Sequence, residues 1–136
     1  MAPYGAVTPP RLSLSFPLRS NVMHNVGPSA IVTPLVSRGL EDLPGKEVSM
    51  IGVEYPPGSV DAAHTHHAHA FVYVLDGSIV MQVRGGTSTT LVAGQTFYEG
   101  PNDVHIVGRN ASQSAPARFV VFLVKDTGAP ILTPVE

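Results

Sequence analysis

The apolar runs in this 136-residue chain are short, and Gly, Pro, Asn or Asp closes them, with Gly and Pro contributing 13 residues each. That punctuation belongs to strands joined by turns, and it leaves no room for apolar residues at helical spacing over several turns. The chain is therefore expected to be all-β. Candidate strands are Ile31–Val36, interrupted by Pro34, then Val48–Tyr55, Phe71–Leu75, Ser78–Val83, Thr89–Val92, Thr96–Glu99, Val104–Val107 and Arg118–Val124. A single helical turn is expected at Leu40–Leu43. The dipeptide Asp76-Gly77 between two β-rich runs is the strongest hairpin signal in the chain. Short strands at this spacing predict a sandwich or barrel.

One domain is expected, since domains hold roughly 100–200 residues. Pro3, Pro9, Pro10, Pro17 and Pro28 crowd the start of the chain. Residues 1–28 are accordingly read as an extended Pro-rich arm, carrying at most an edge strand near Leu12–Phe16, and residues 29–136 as the folded domain.

Charge narrows the partners. Lys and Arg total 8 against 10 Asp and Glu, a formal net charge of −2, so no basic footprint for nucleic acid or anionic lipid exists. No run of about 18 apolar residues is present to cross a bilayer as a helix. The first residues lack a basic segment followed by an apolar one, so no secretory signal is visible and a cytoplasmic location is the default expectation. With no Cys, thiolate ligands, disulfides and a cysteine nucleophile are all excluded.

Four of the six histidines fall within His64-Thr65-His66-His67-Ala68-His69. On a strand, His64 and His66 project from one face, where neutral imidazoles can converge on a divalent cation. Two neighbouring positions cannot enclose an ion, and His105, on a later apolar run, is the candidate third donor. An exposed, solvated histidine turn accounts for the hexamer as well, and a hydrogen-bonded, half-buried residue accounts for His105 alone.

The stretch from Gly58 through His64 and His66 to Gly77 resembles the first motif of the cupin superfamily, G-x5-H-x-H-x3-E-x6-G, with Ala70 standing where the family has glutamate. The second motif, G-x5-P-x-G-x2-H-x3-N, is matched by Gly94 and His105. There Gly100-Pro101-Asn102 replaces P-x-G, and Asn110 falls one residue late. The resemblance implies a small double-stranded β-helix, or jelly-roll barrel, with His64, His66 and His105 holding a metal inside it. It also implies a homodimer, with the arm a candidate for exchange between barrels.

The missing carboxylate leaves a vacancy in the ligand set. His69, beside Ala70, fills it if a bulge turns the ring inward, although strict alternation points it away. Glu99, six residues before His105, is the second candidate and a candidate catalytic carboxylate; a solvated strand-end charge accounts for it equally. A water serves as well. Tyr73 and Tyr98 are candidate catalytic phenols lining the pocket, against ordinary strand packing. A cysteine-free histidine site suits one divalent Mn, Fe, Ni, Cu or Zn per chain. An open coordination position would serve a small organic substrate in oxygenase, hence oxidoreductase, chemistry or in isomerase or lyase chemistry. A non-catalytic cupin module that holds a small ligand or a metal is the alternative.

Overall fold

Strict alternation of buried and exposed residues along the central strands fixes which side chains face inward. A computed structural model of the chain describes residues 27–135, and these form ten strands and no helix. The strands are β1 (Ile31–Gly39), β2 (Lys46–Tyr55), β3 (His64–Thr65), β4 (Ala68–Asp76), β5 (Ser78–Val83), β6 (Thr89–Val92), β7 (Thr96–Glu99), β8 (His105–Asn110), β9 (Ala117–Asp126) and β10 (Thr133–Pro134). They make two five-stranded antiparallel sheets, ordered β1-β2-β9-β4-β7 and β10-β3-β8-β5-β6. The expected all-β barrel of two facing sheets is what the chain forms. The expected arm lies, up to residue 26, outside the described residues.

Between the sheets, Ile51, Val53 and Tyr55 of β2, Val72 and Val74 of β4, and Phe119, Val121 and Leu123 of β9 face Ile79 and Met81 of β5 and Leu91 of β6. Each such side chain withdrawn from water contributes about 1.5–3 kcal/mol, and this core holds the two layers in register. The opposite face of the first sheet carries a different surface. Cross-strand partners Val36, Met50, Phe122, Phe71 and Tyr98 form one uncharged row across all five strands.

Two local expectations need correction. The Asp76-Gly77 turn joins no hairpin: β4 pairs with β7 and β9, while β5 pairs with β6 and β8. The chain instead crosses from one sheet to the other at Gly77, whose φ is +74°. A Cβ at Gly77 would lie 2.6 Å from the Pro116 carbonyl oxygen and 2.9 Å from the Ala117 Cα, so the crossing is pinned against the start of β9. The hairpin signal reports only the reversal-prone dipeptide; burial of apolar residues on both flanking strands splits them between layers. At Leu40–Leu43 there is a turn closed by Leu43 N–H donating to Leu40 O at 3.1 Å, with no helix. Pro34 does not interrupt β1, because this is an edge strand with a register shift between Pro34 and Val36 that absorbs it.

Candidate metal centre

Alternation continues through the histidine segment, with His64, His66, Ala68, Ala70, Val72 and Val74 all buried. The one departure is His67, whose φ of +48° turns the chain between β3 and β4. Since regular alternation resumes beyond it, His69 faces outward, where its Nδ1 lies 2.7 Å from the Tyr98 hydroxyl. His69 is thus not brought to the other histidines, and the bend that would redirect it sits two residues too early.

Strand pairing assembles the cluster. His64 is the cross-strand partner of His105, and Glu99 is the cross-strand partner of Ala70. Glu99 comes from the first sheet, His64 and His105 from the second, and His66 from the bend between β3 and β4. All four are buried, and one donor atom from each lies within 4.8 Å of the others. His66 Nε2 is 2.8 Å from Glu99 Oε1, His105 Nδ1 is 3.4 Å from Glu99 Oε2, and His105 Nδ1 is 3.2 Å from His64 Nε2.

Backbone carbonyls fix the tautomers. His64 Nδ1 donates to Ala62 O at 2.8 Å and His66 Nδ1 to Ile131 O at 2.7 Å. In a neutral ring this leaves Nε2 as a lone pair. The His66 Nε2 lone pair would then abut a carboxylate oxygen at 2.8 Å, two acceptors with nothing between them. A proton shared by the pair or a metal ion between them relieves that contact. Glu99 Oε2 and His105 Nε2 are also buried without a hydrogen-bond partner among the described residues. An acceptor-rich, donor-poor cluster with carbonyl-anchored imidazoles fits a divalent cation.

Titration follows the same contacts. Burial opposes charge on His66, but the hydrogen bond and charge of Glu99, with the Ile131 carbonyl and Asp61, outweigh it and hold the imidazole above its ordinary value. Burial likewise pushes the Glu99 carboxyl up, yet the bond from His66 and the positive fields of His105, His66 and His64 keep it below the usual range. For His105 burial prevails over the attraction of Glu99, and the ring is held below its ordinary value.

The donors line a cavity of about 60 Å³ walled by Ile51, Val53, Val72, Met81, Phe119 and Val121. Tyr55 and Asp61 also line it, and the Tyr55 hydroxyl donates to Asp61 Oδ2. Burial first, then the Asp61 charge, raises the phenol well above its ordinary value. This pair was not singled out from sequence; Tyr55 ends an alternating strand, and only its inward register distinguishes it. Tyr73 and Tyr98, by contrast, are 43% and 49% exposed on the outer face. They sit on odd-numbered and even-numbered positions of paired strands β4 and β7 that both turn away from the core, so neither lines the cavity.

Asn110, one residue late for the motif, is 1% exposed. The extra residue is absorbed in β8, where Gln82 pairs with Val107 and Val83 with His105, leaving Ile106 unpaired in a bulge. Asn110 therefore still points inward, where its Nδ2 donates to the carbonyls of Tyr55, Pro56 and Ala115, and its Oδ1 accepts from Ser112 N–H. Its contacts staple the loop ends and do not reach the histidines.

The sequence pattern of the cupin domain family matches residues 52–123, more than half of the chain. No curated protein matches in sequence. Among solved structures, the chain is similar to an uncharacterized conserved protein with a double-stranded β-helix domain from Klebsiella pneumoniae. That likeness has 23% identity, covers 82% of this chain and 90% of that one, and gives a TM-score of 0.61. It is also similar to the DMSP lyase DddQ from Ruegeria pomeroyi, at 18% identity over 65% of this chain and 43% of that one, with a TM-score of 0.58. A third likeness is to the polyketide cyclase RemF from Streptomyces resistomycificus, at 19% identity over 65% of this chain and 61% of that one, with a TM-score of 0.54. The chain thus spans less than half the length of the DMSP lyase.

Proposed function

From the premise that this chain belongs to the cupin domain family, we propose that it is a metal-dependent enzyme acting on a small organic molecule, with residues 29–136 as its single barrel domain. His64, His66, Glu99 and His105 hold one divalent transition metal ion in this reading. The observation that carries it is the convergence of four buried donors, one atom from each within 4.8 Å of the others, with Glu99 Oε2 and His105 Nε2 left without a hydrogen-bond partner among the described residues. A bound ion of this kind supplies Lewis acidity toward a substrate oxygen, which serves oxygenase and isomerase or lyase reactions alike. The fold likeness to a DMSP lyase and a polyketide cyclase supports keeping the lyase and isomerase branch open.

The chain's own groups divide the remaining work. The apolar walls exclude water and strengthen every electrostatic contact inside. In the metal-free protein the His66–Glu99 pair holds one proton between Nε2 and Oε1. Glu99 Oε2, without a partner, is the atom free to accept a proton from a bound molecule. Tyr55 with Asp61 forms a second proton-bearing pair in the wall.

A second reading, a non-catalytic module holding a metal or small ligand, is favoured by one observation: a cavity of about 60 Å³ falls well short of the roughly 300–1,000 Å³ of ordinary ligand pockets. Either reading includes a homodimer, for which we offer the uncharged outer row from Val36 to Tyr98 as the surface, flanked along the β2–β9 ladder by the ion pairs Arg118–Glu54 and Lys46–Asp126.

Elemental analysis of protein purified without chelator tests the metal. About one equivalent of a transition metal per chain, lost on His64→Ala or His105→Ala, supports the reading. Full metal retention by both variants would overturn it.

A further inference from the structure

Most of the apolar cavity wall lies on strands that are hydrogen-bonded on both sides. Ile51 and Val53 of β2, Val72 of β4, Met81 of β5, and Phe119 and Val121 of β9 all lie on such interior strands. None can move without breaking two ladders. Of the rest of the wall, Glu99 lies on the edge strand β7 and Asp61 and His66 in the connections around β3, while the apolar pair Ile131 and Leu132 follows β9 in a run with far fewer ties.

That run begins at a firm anchor. Buried Lys125 Nζ donates to Glu47 Oε1 at 2.5 Å and to Ala129 O at 2.7 Å, and Ala129 N–H donates to Asp126 O at 3.0 Å. Beyond Ala129 the chain crosses the cavity, and the two-residue strand β10 pairs Thr133 with Thr65 and Pro134 with His64. Val135 N–H closes it by donating to Ala63 O at 3.1 Å. Leu132 is 43% exposed, so one side of this strap already faces solvent. Few buried contacts and a short ladder mark it as the element that opens at the lowest cost.

The strap also reaches the metal donors. The Ile131 carbonyl accepts the His66 Nδ1 proton at 2.7 Å, and this bond leaves His66 Nε2 as the lone pair facing Glu99. With the strap down, the cavity of about 60 Å³ lies well below the roughly 300–1,000 Å³ of ordinary ligand pockets. A substrate larger than a few atoms needs the strap lifted, and lifting releases His66.

We propose that residues 129–135 form the entry strap of the site: Ile131 and Leu132 set the size of ligand admitted, and the Ile131 carbonyl is the positioning group that holds His66 in its metal-binding tautomer. The size half rests on the metal-centre reading; the tautomer half stands without it.

Two full-length variants separate these roles. Val135→Pro removes the N–H that closes the strap on Ala63, whereas Ile131→Ala with Leu132→Ala keeps the backbone and trims the wall. Nitrogen-15 NMR of the metal-free proteins, at a pH high enough that the His66 ring is neutral, should show His66 solely as the Nδ1–H tautomer in the wild type and the double variant, and as a tautomer mixture in Val135→Pro. Cobalt(II) affinity should fall on the order of tenfold in Val135→Pro, the size of loss seen when a ligand histidine loses its outer partner, and stay within about twofold in the double variant. With cobalt(II) bound, azide should bind all three proteins alike, while 4-nitrocatecholate should bind the double variant on the order of tenfold more tightly than the wild type, a difference of about 1.4 kcal/mol.

An unchanged His66 tautomer in a folded Val135→Pro protein overturns the positioning role. Equal nitrocatecholate affinity in the wild type and the double variant overturns the size role. If cobalt(II) binds none of the proteins, the metal-centre reading fails while the NMR comparison still decides the strap. Should Val135→Pro not fold, nitrocatecholate binding by the double variant decides alone.

Discussion

Ala70 and Glu99 are direct cross-strand partners in the β4–β7 ladder, both buried in the barrel interior. The carboxylate that the cupin pattern places on the first of these strands is carried here by its neighbour. Partners in a ladder sit about 4.5–5.5 Å apart at Cβ, so a carboxylate on either strand addresses the same space. In the proposed metal centre, Glu99 would stand in for the residue that Ala70 lacks.

Exchange of the two positions tests that substitution. Glu99→Ala should lower cobalt(II) affinity by about 10- to 100-fold or more, and adding Ala70→Glu to the same chain should recover most of the loss. Isothermal titration on the single and double variants reads both steps. No recovery in a folded double variant would show that the two strands are not interchangeable.

Acid and base should act on the metal-free protein from opposite sides. His66 is held above 6.5, so its contribution to stability is complete below 6.5 and is lost as pH rises through the raised value. Glu99 is held below 4.5, so its contribution is present above 4.5 and is lost as pH falls through the lowered value. Melting curves should show the pair's contribution greatest between those limits and absent in Glu99→Gln. Metal competes with the His66 proton, so, as pH rises through the raised His66 value, cobalt(II) affinity should rise while metal-free stability falls. Parallel trends in the two measurements over that alkaline range would remove His66 from the ligand set.

Asn110→Ala should separate architecture from site. It strips partners from the Tyr55, Pro56 and Ala115 carbonyls and from Ser112 N–H. Denaturant unfolding should show a loss of about 2–4 kcal/mol, while the affinity of the folded protein for cobalt(II) stays within about twofold of the wild type. A large drop in affinity would mean that Asn110 acts on the histidines through the β8 bulge.

Light scattering during size-exclusion chromatography addresses the outer face. Phe71 and Phe122 are paired at the middle of the apolar row and are 48% and 38% exposed. A dimeric wild type should become monomeric with Phe71→Glu or Phe122→Glu, since burying an unpaired carboxylate costs several kcal/mol. A dimer that survives both changes must use another surface.

Much of this was legible in the residues themselves. Short runs between Gly and Pro announced an all-β chain, and the i, i+2 spacing of His64 and His66 announced a shared face. The strand facing His105 and the partner of Ala70 were not legible, because pairing between distant strands is decided by which apolar faces close on each other. The same limit explains the Asp76-Gly77 turn, where local chemistry signals reversal and long-range burial assigns the flanking strands to different sheets. Asn110 shows how fixed spacing can mislead: a bulge at Ile106 restores the inward face that counting residues would deny it. His69 shows the converse, a residue of fitting type in a dense cluster turned outward by plain alternation. The role of Ile131 had no signal in sequence, since its contribution is a backbone carbonyl.

The donors are split across the barrel, Glu99 on one layer and His64 and His105 on the other. An ion seated among them would act as a further cross-tie between layers otherwise joined by side-chain packing and a few polar contacts such as that of Asn110 with the Tyr55 carbonyl. Its departure would then be registered beyond the cavity, as faster amide hydrogen exchange along β7 and β8 together, and the residence time of the ion would set how often those two layers part.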